Sequence, residues 1–194
     1  VGPEFLPEYG PKMIQLIGSS MLDPVQGTEK LGYAEGGIKI TLLKINEMQL
    51  NNIDNLNEYI FKTMHHEFAH ILNQTKPFST DFNAISGPDY VTDTWSDAWD
   101  DDADAQKNGF ISAYASSEAN EDFVELMSIY VTNPASYWNN IIKNAGEGAA
   151  KINAKFEIVY NYMLNSWNID LNELRDVIQE RQAQIGTLDL ETLN

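Results

Sequence analysis

Between residues 55 and 73 the apolar positions recur every three or four residues. Ile60, Met64, Phe68 and Ile71 fall on one face, the spacing of an amphipathic helix. Asp54 or Asn55 is placed to cap its start, and Pro77 lies just past its end. Upstream the period is shorter. Residues 12–17 (KMIQLI) and 38–43 (IKITLL) are brief runs rich in Ile, Leu and Thr, and both predict strands. The glycines between them, Gly27, Gly32, Gly36 and Gly37, predict turns and loop. Residues 76–104 are polar, with Gly87-Pro88 and many Asp, Ser and Thr residues. They predict a long loop, and a structureless loop of that length is usually functional. Beyond Tyr114 the helical period returns. Phe123, Leu126, Met127 and Tyr130 share a face after a cap at Ser116 or Ser117, and Asn133-Pro134 stops that helix. Three more helices are predicted over 135–144, 149–167 and 171–185. The fold class that follows is α+β. A small N-terminal sheet packs on one long helix, and a mainly helical C-terminal half follows.

Length suits a single domain over 1–194. Residues 1–113 would supply the sheet, the long helix and the loop, and 114–194 the helical half. Net charge narrows the partners. Twenty-nine acidic residues against 12 basic ones leave −17, a surface that repels phosphate backbones, so no nucleic-acid partner is expected. No apolar run approaches the ~20 residues that span a bilayer. The chain starts at Val1 without a charged-then-apolar leader, as a mature or trimmed segment would. It has no cysteine, which removes disulfides and thiolate metal sites together. A metal site here must be built from His, Asp and Glu.

That restriction matters because the predicted helix carries His65-His66-Glu67-Phe68-Ala69-His70. His66 and His70 are four apart, so their rings leave one face on successive turns and can share one tetrahedral Zn²⁺. Glu67 leans about 100° round the axis, placed to reach a water activated by the metal. This is the H-E-x-x-H pattern. The three histidines of the chain all stand in this string. His65 points away from His66 and has Ala69, not His, one turn on, so it reads as a packing or surface residue. The third ligand must then be a carboxylate. Glu121 is the best candidate and Glu118 its rival. Glu125, one turn after Glu121, could orient a ligand histidine by taking its second N–H.

HExxH followed some fifty residues later by a glutamate on a second helix resembles the gluzincin clan of zinc peptidases. The Tyr-x6-Glu-x3-Glu spacing of Tyr114, Glu121 and Glu125 is similar to the anthrax lethal factor type of site. The wider wording, HEFAHILNQ with a downstream SAYASSEANEDFVE, resembles the zinc-binding metallopeptidase lipoproteins of Bacteroidetes. The resemblance implies a zincin-like fold and one Zn²⁺ per chain on His66, His70 and Glu121. It implies Glu67 as the catalytic base and Tyr114 as the donor that stabilises the transition state. It also implies hydrolysis of an extracellular peptide or protein through the water on zinc. The implied setting is extracytoplasmic, lipid-anchored at the outer membrane or secreted, with outer-membrane nutrient-import proteins as partners; a monomer is expected. Two other functions fit the residues. One is a zinc hydrolase acting on a peptide attached to glycan. The other is a non-catalytic surface lipoprotein binding glycan or peptide for an import system.

The remaining polar and aromatic features have plainer readings. The acidic run from Asp97 to Asp104 is rich in the oxygens that suit calcium but lacks EF-hand spacing. A solvated loop in which Asp102 or Asp104 caps a short helix before Gly109 fits it better. Trp95 and Trp99 are at helical spacing and read as core, or, if exposed, as a wall of the substrate cleft.

Overall fold

The computed structural model describes residues 4–187. Its sheet has three strands in the order β1 (Met13–Leu16), β5 (Lys39–Leu42), β4 (Gly32–Glu35). β1 runs parallel to β5, and β4 pairs with β5 as a hairpin. The hairpin turns at Gly36 and Gly37, whose φ values are +57° and +69°. Side chains rarely adopt that conformation, so glycine is needed there. A second, two-stranded ladder joins β2 (Met21–Leu22) to β3 (Glu29–Lys30). The glycine-bordered stretch predicted as loop therefore holds three short strands. Pairing with partners distant in sequence supplies a hydrogen-bond ladder that composition alone does not reveal.

After a short α1 (Phe5–Tyr9), the long helix begins as α2 (Ile53–Leu56), passes through a π-helical segment at Asn57–Phe61, and continues as α3 (Lys62–Thr75). Its cap is Asn52, whose side chain accepts from the Asn55 backbone N–H, two to three residues before the predicted caps. The predicted face does pack on the sheet. Ile71 is buried with Ile40 and Leu42, and Ile60, Met64 and Phe68 lie against them. Ala69 and Leu72 join the main core on the other side. α3 is thus held from two directions, which fixes the direction its third face points.

The main core is built around α7 (Ala119–Thr132), in which every residue from Asp122 to Thr132 is buried. α3, α9 (Ala149–Trp167) and α10 (Leu171–Gln184) pack against it. The sequence shows one apolar stripe, but three neighbours bury the whole circumference. The three C-terminal helices, with α8 at Ala135–Asn144, match their predicted spans to within one residue. The polar region 76–104 is not structureless. It contains α4 (Asp81–Ser86) and α5 (Trp95–Ala98), and α6 (Asp102–Lys107) starts at its end. The cap of α6 is Asp101, which accepts from the Asp104 backbone N–H, while Asp102 accepts from the Ala113 N–H. Among the described residues no helix is long and apolar enough to cross a membrane.

Candidate metal centre and active site

α3 presents His66 and His70 to a cleft, and the first turn of α7 presents Glu121 to the same point. His66 Nε2 lies 3.0 Å from Glu121 Oε2 and 3.2 Å from His70 Nε2, and the third side of the triangle is 3.3 Å. Nitrogen and oxygen ligands about 2.0–2.1 Å from a tetrahedral zinc ion stand about 3.3 Å from one another. The triangle therefore has the dimensions of one face of a zinc coordination sphere. Its chemistry agrees. Three acceptor atoms at this spacing repel one another unless a proton or a cation lies among them. Among the described residues, this is the group of His, Asp and Glu side chains that could hold a metal ion. Glu118, the rival ligand, is exposed on the residue preceding α7 and takes no part in it.

The free nitrogen of His66 is also engaged. Nδ1 donates to Glu125 Oε1 at 2.9 Å, which leaves the Nε2 lone pair for the metal. Glu125 is almost fully buried and also accepts from Ser112 Oγ at 2.7 Å, with Lys62 Nζ at 3.0 Å. Burial opposes its charge, but Lys62 and His66 outweigh burial and hold the carboxyl down at about 2. Glutamate at this position has the length to reach from α7 to the far side of the imidazole. Burial likewise disfavours charge on His66, yet its hydrogen bonds to Glu121 and Glu125 raise it to about 10. Glu121 moves the opposite way: the two imidazoles overcome desolvation and push its carboxyl far below the usual range. The site is built to gather positive charge.

Glu67 sits on the sheet side of this triangle. Burial raises its pKa, opposed by His66, His70 and a backbone hydrogen bond from Ala34 of β4. β4 comes this close because Gly32 has no side chain. A Cβ there would meet Thr63 Cγ2 at 2.6 Å and Glu67 Cγ at 3.4 Å. On the opposite wall Tyr114 stacks on His66, with ring centroids 5.9 Å apart, and Trp95 meets Tyr114 edge-on at 5.0 Å. Burial first, then Glu121 and Glu125, raise the Tyr114 hydroxyl well above the ordinary tyrosine range, so it remains a proton donor. The cleft these residues line is about 530 Å³.

A family described as "putative zinc-binding metallo-peptidase" matches residues 1–172. The chain belongs to this family. A solved structure described in the same words, from Bacteroides caccae, is 37% identical. It superposes with a TM-score of 0.81 over 98% of this chain and 72% of that one. No curated protein matches the chain. Family and neighbour agree with the α+β fold and with zinc as the metal suggested for the His66, His70 and Glu121 group.

All six residues singled out in the sequence meet in this family member's cleft: His66, Glu67, His70, Tyr114, Glu121 and Glu125. His65 stays apart, its Nδ1 bonded to the Phe61 carbonyl at 2.7 Å. Trp95 is a cleft wall, whereas Trp99 packs toward Phe110 and donates to Ser116 Oγ. Sequence reasoning missed Lys62, Ser112 and Gly32. Lys62 had a signal, since it stands one helical turn before His66. Ser112 and Gly32 had none, because each matters only through a neighbour remote in sequence.

Proposed function

We propose that the chain is a zinc-dependent peptidase that hydrolyses peptide bonds of an extracellular peptide or protein, with one zinc ion held by His66, His70 and Glu121. The observation that carries this reading is the Glu67 carboxylate beside a zinc-sized ligand triangle, with a tyrosine hydroxyl on the opposite wall. A site that only binds has no use for a buried carboxylate kept out of the ligand set. Zinc bound there supplies a Lewis acid that polarises the scissile carbonyl and acidifies the attacking water. Glu67 takes the proton from that water and returns it to the leaving amine. Tyr114 donates to the oxyanion that develops on the carbonyl. Glu125 and Lys62 hold the His66 ring in place. An extracytoplasmic setting, lipid-anchored or secreted, and an association with outer-membrane nutrient-import proteins are part of the proposal. They rest on the resemblance to the Bacteroidetes lipoproteins alone.

Metal content measured by mass spectrometry tests the site. Wild type prepared without chelator is expected to carry one zinc per chain, Glu118→Ala the same, and Glu121→Ala almost none. A metal-free wild type would remove the basis of the reading. Tyr114→Phe keeps the ring that stacks on His66 and deletes only the donor. Its turnover of a cleaved peptide should fall on the order of 10²–10³-fold with zinc retained, the usual cost of one oxyanion donor. An unchanged rate would reassign Tyr114 to packing.

A further inference from the structure

β1 pairs on one side only, with β5, and all four of its residues are exposed. Three of them are nonetheless apolar: Met13 is 58% exposed, Ile14 50% and Leu16 62%. The register sets Ile14 beside Ile40 and Leu16 beside Leu42, so both lie on the sheet face that α3 covers. That cover ends at β5. Ile40 and Leu42 are buried with Ile71 and Phe68 against them, whereas Ile14 and Leu16 carry the same apolar surface out into solvent. The backbone of β1 is open as well. Met13 and Ile17 direct their N–H groups to the carbonyls of Ile38 and Leu42. By the alternation of a strand, the N–H and C=O groups of Ile14 and Leu16 point away from β5, where no further strand is paired among the described residues.

Edge strands are ordinarily blunted by a charge, a proline or a bulge. Residues 13–17 have no charge and no proline, and the register of β1 on β5 is unbroken. The pattern is also complementary to itself. Turned about a two-fold axis through Gln15, β1 meets its own image antiparallel. Ile14 of one copy then faces Leu16 of the other, and Met13 faces Ile17. Each Ile14–Leu16 pair exchanges its outward N–H and C=O groups. Lys12 falls opposite Gly18, so no like charges meet.

Charge favours a second copy as the occupant. Residues 1–53 hold six acidic and four basic residues, a net −2, while the rest of the chain carries −15. Two copies at −17 each therefore repel least through this region. Pairing would bury roughly 1,000 Å² over both copies, the lower bound for a specific interface, so a weak dimer in the micromolar range is expected. The metal cleft is lined by β4, at the other edge of the sheet, and by no residue of β1. Both clefts stay open in the pair.

We infer that the chain dimerises through β1, two copies joining edge to edge into one six-stranded sheet with Gln15 on the two-fold axis, rather than remaining the monomer expected from the sequence. The inference does not depend on the peptidase reading.

Sedimentation equilibrium on wild type should show monomer giving way to dimer between about 1 μM and 1 mM. Added salt should tighten the dimer severalfold, because it screens the repulsion and leaves the apolar contact. Leu16→Lys puts a charge on the edge and should weaken the dimer on the order of tenfold, with zinc content unchanged. The chain has no cysteine, so Gln15→Cys and Val177→Cys each introduce a single thiol, the second at a 52% exposed position on α10. Residues opposed in a non-hydrogen-bonded pair stand about 4.5 Å apart at Cα, within disulfide reach. With an added thiol oxidant, Gln15→Cys should form a linked dimer roughly tenfold faster than Val177→Cys. Equal linking rates, a dimer untouched by Leu16→Lys, or one that salt dissociates would each overturn the pairing. A wild type still monomeric at about 1 mM would overturn it too and leave the edge to a strand of another protein.

Discussion

Glu67→Gln is expected to keep its zinc and lose its turnover. The substitution preserves shape and removes one capacity, that of holding a proton and giving it up. Glu67 lies outside the ligand triangle, so metal content should equal wild type. The rate should fall by roughly 10²–10⁴-fold, the range of general acid–base contributions. The upper end is expected because the same carboxylate is asked both to take the proton and to deliver it. Stability should move the other way or not at all. Burial raises the pKa of Glu67, so the folded state resists its charged form, and at neutral pH that charge works against folding. The neutral amide removes the conflict, and the melting temperature should not drop. Such a split between activity and stability is the mark of a residue kept for chemistry. A variant that hydrolyses peptides at the wild-type rate would take the base away from Glu67. One that loses its zinc would mean that Glu67 belongs to the ligand set.

Much of this site was legible in the chain because helices encode it. His66, Glu67 and His70 are fixed relative to one another by a single period, and Glu121 and Glu125 by another. A residue four positions from its partner must lie on its face, whatever the rest of the fold does. With cysteine absent and every histidine accounted for, the third ligand had to be a carboxylate. What stayed hidden depends on approach between distant segments. Gly32 looked like one more loop glycine. Its role appears only once β4 lies against Thr63 and Glu67. The same holds for β2 and β3, two residues each, too short to show a period. Glu121 was preferred over Glu118 from the sequence, but the rival was excluded only when the start of α7 was known: the helix begins after Glu118, whose side chain is exposed. Residues 76–104 misread for a related reason. Their helices are four to six residues long, and only α6 has a side-chain cap; a turn of helix carries almost no hydrophobic pattern.

Asp122, on α7 beside Glu121, anchors the other large prediction. It is fully buried with Lys155 of α9 as its ion-pair partner, and Tyr90 donates to the same carboxylate oxygen at 2.9 Å. The Lys155 ammonium also lies 4.4 Å over the Phe110 ring. Burial pushes the Asp122 carboxyl up and the Lys155 ammonium down, so each charge depends on the other. Lys155→Met retains the length of the side chain and strands the carboxylate. The expected loss is about 3–5 kcal/mol of unfolding free energy, the usual cost of removing one partner from a buried pair. Urea denaturation would show it as a lower midpoint at unchanged slope. Asp122 adjoins Glu121 in the chain, so the damage should spread to the metal, with zinc released at lower chelator concentration than from wild type. The double variant Asp122→Leu with Lys155→Met leaves no charge behind. It should recover most of the lost stability, because two apolar groups of similar volume often serve as well as a buried pair. A single variant within 1 kcal/mol of wild type would show that water reaches the pair. A double variant no better than the single would show that Asp122 is needed for its bond to Tyr90, which ties the loop before α5 to the helix carrying Glu121.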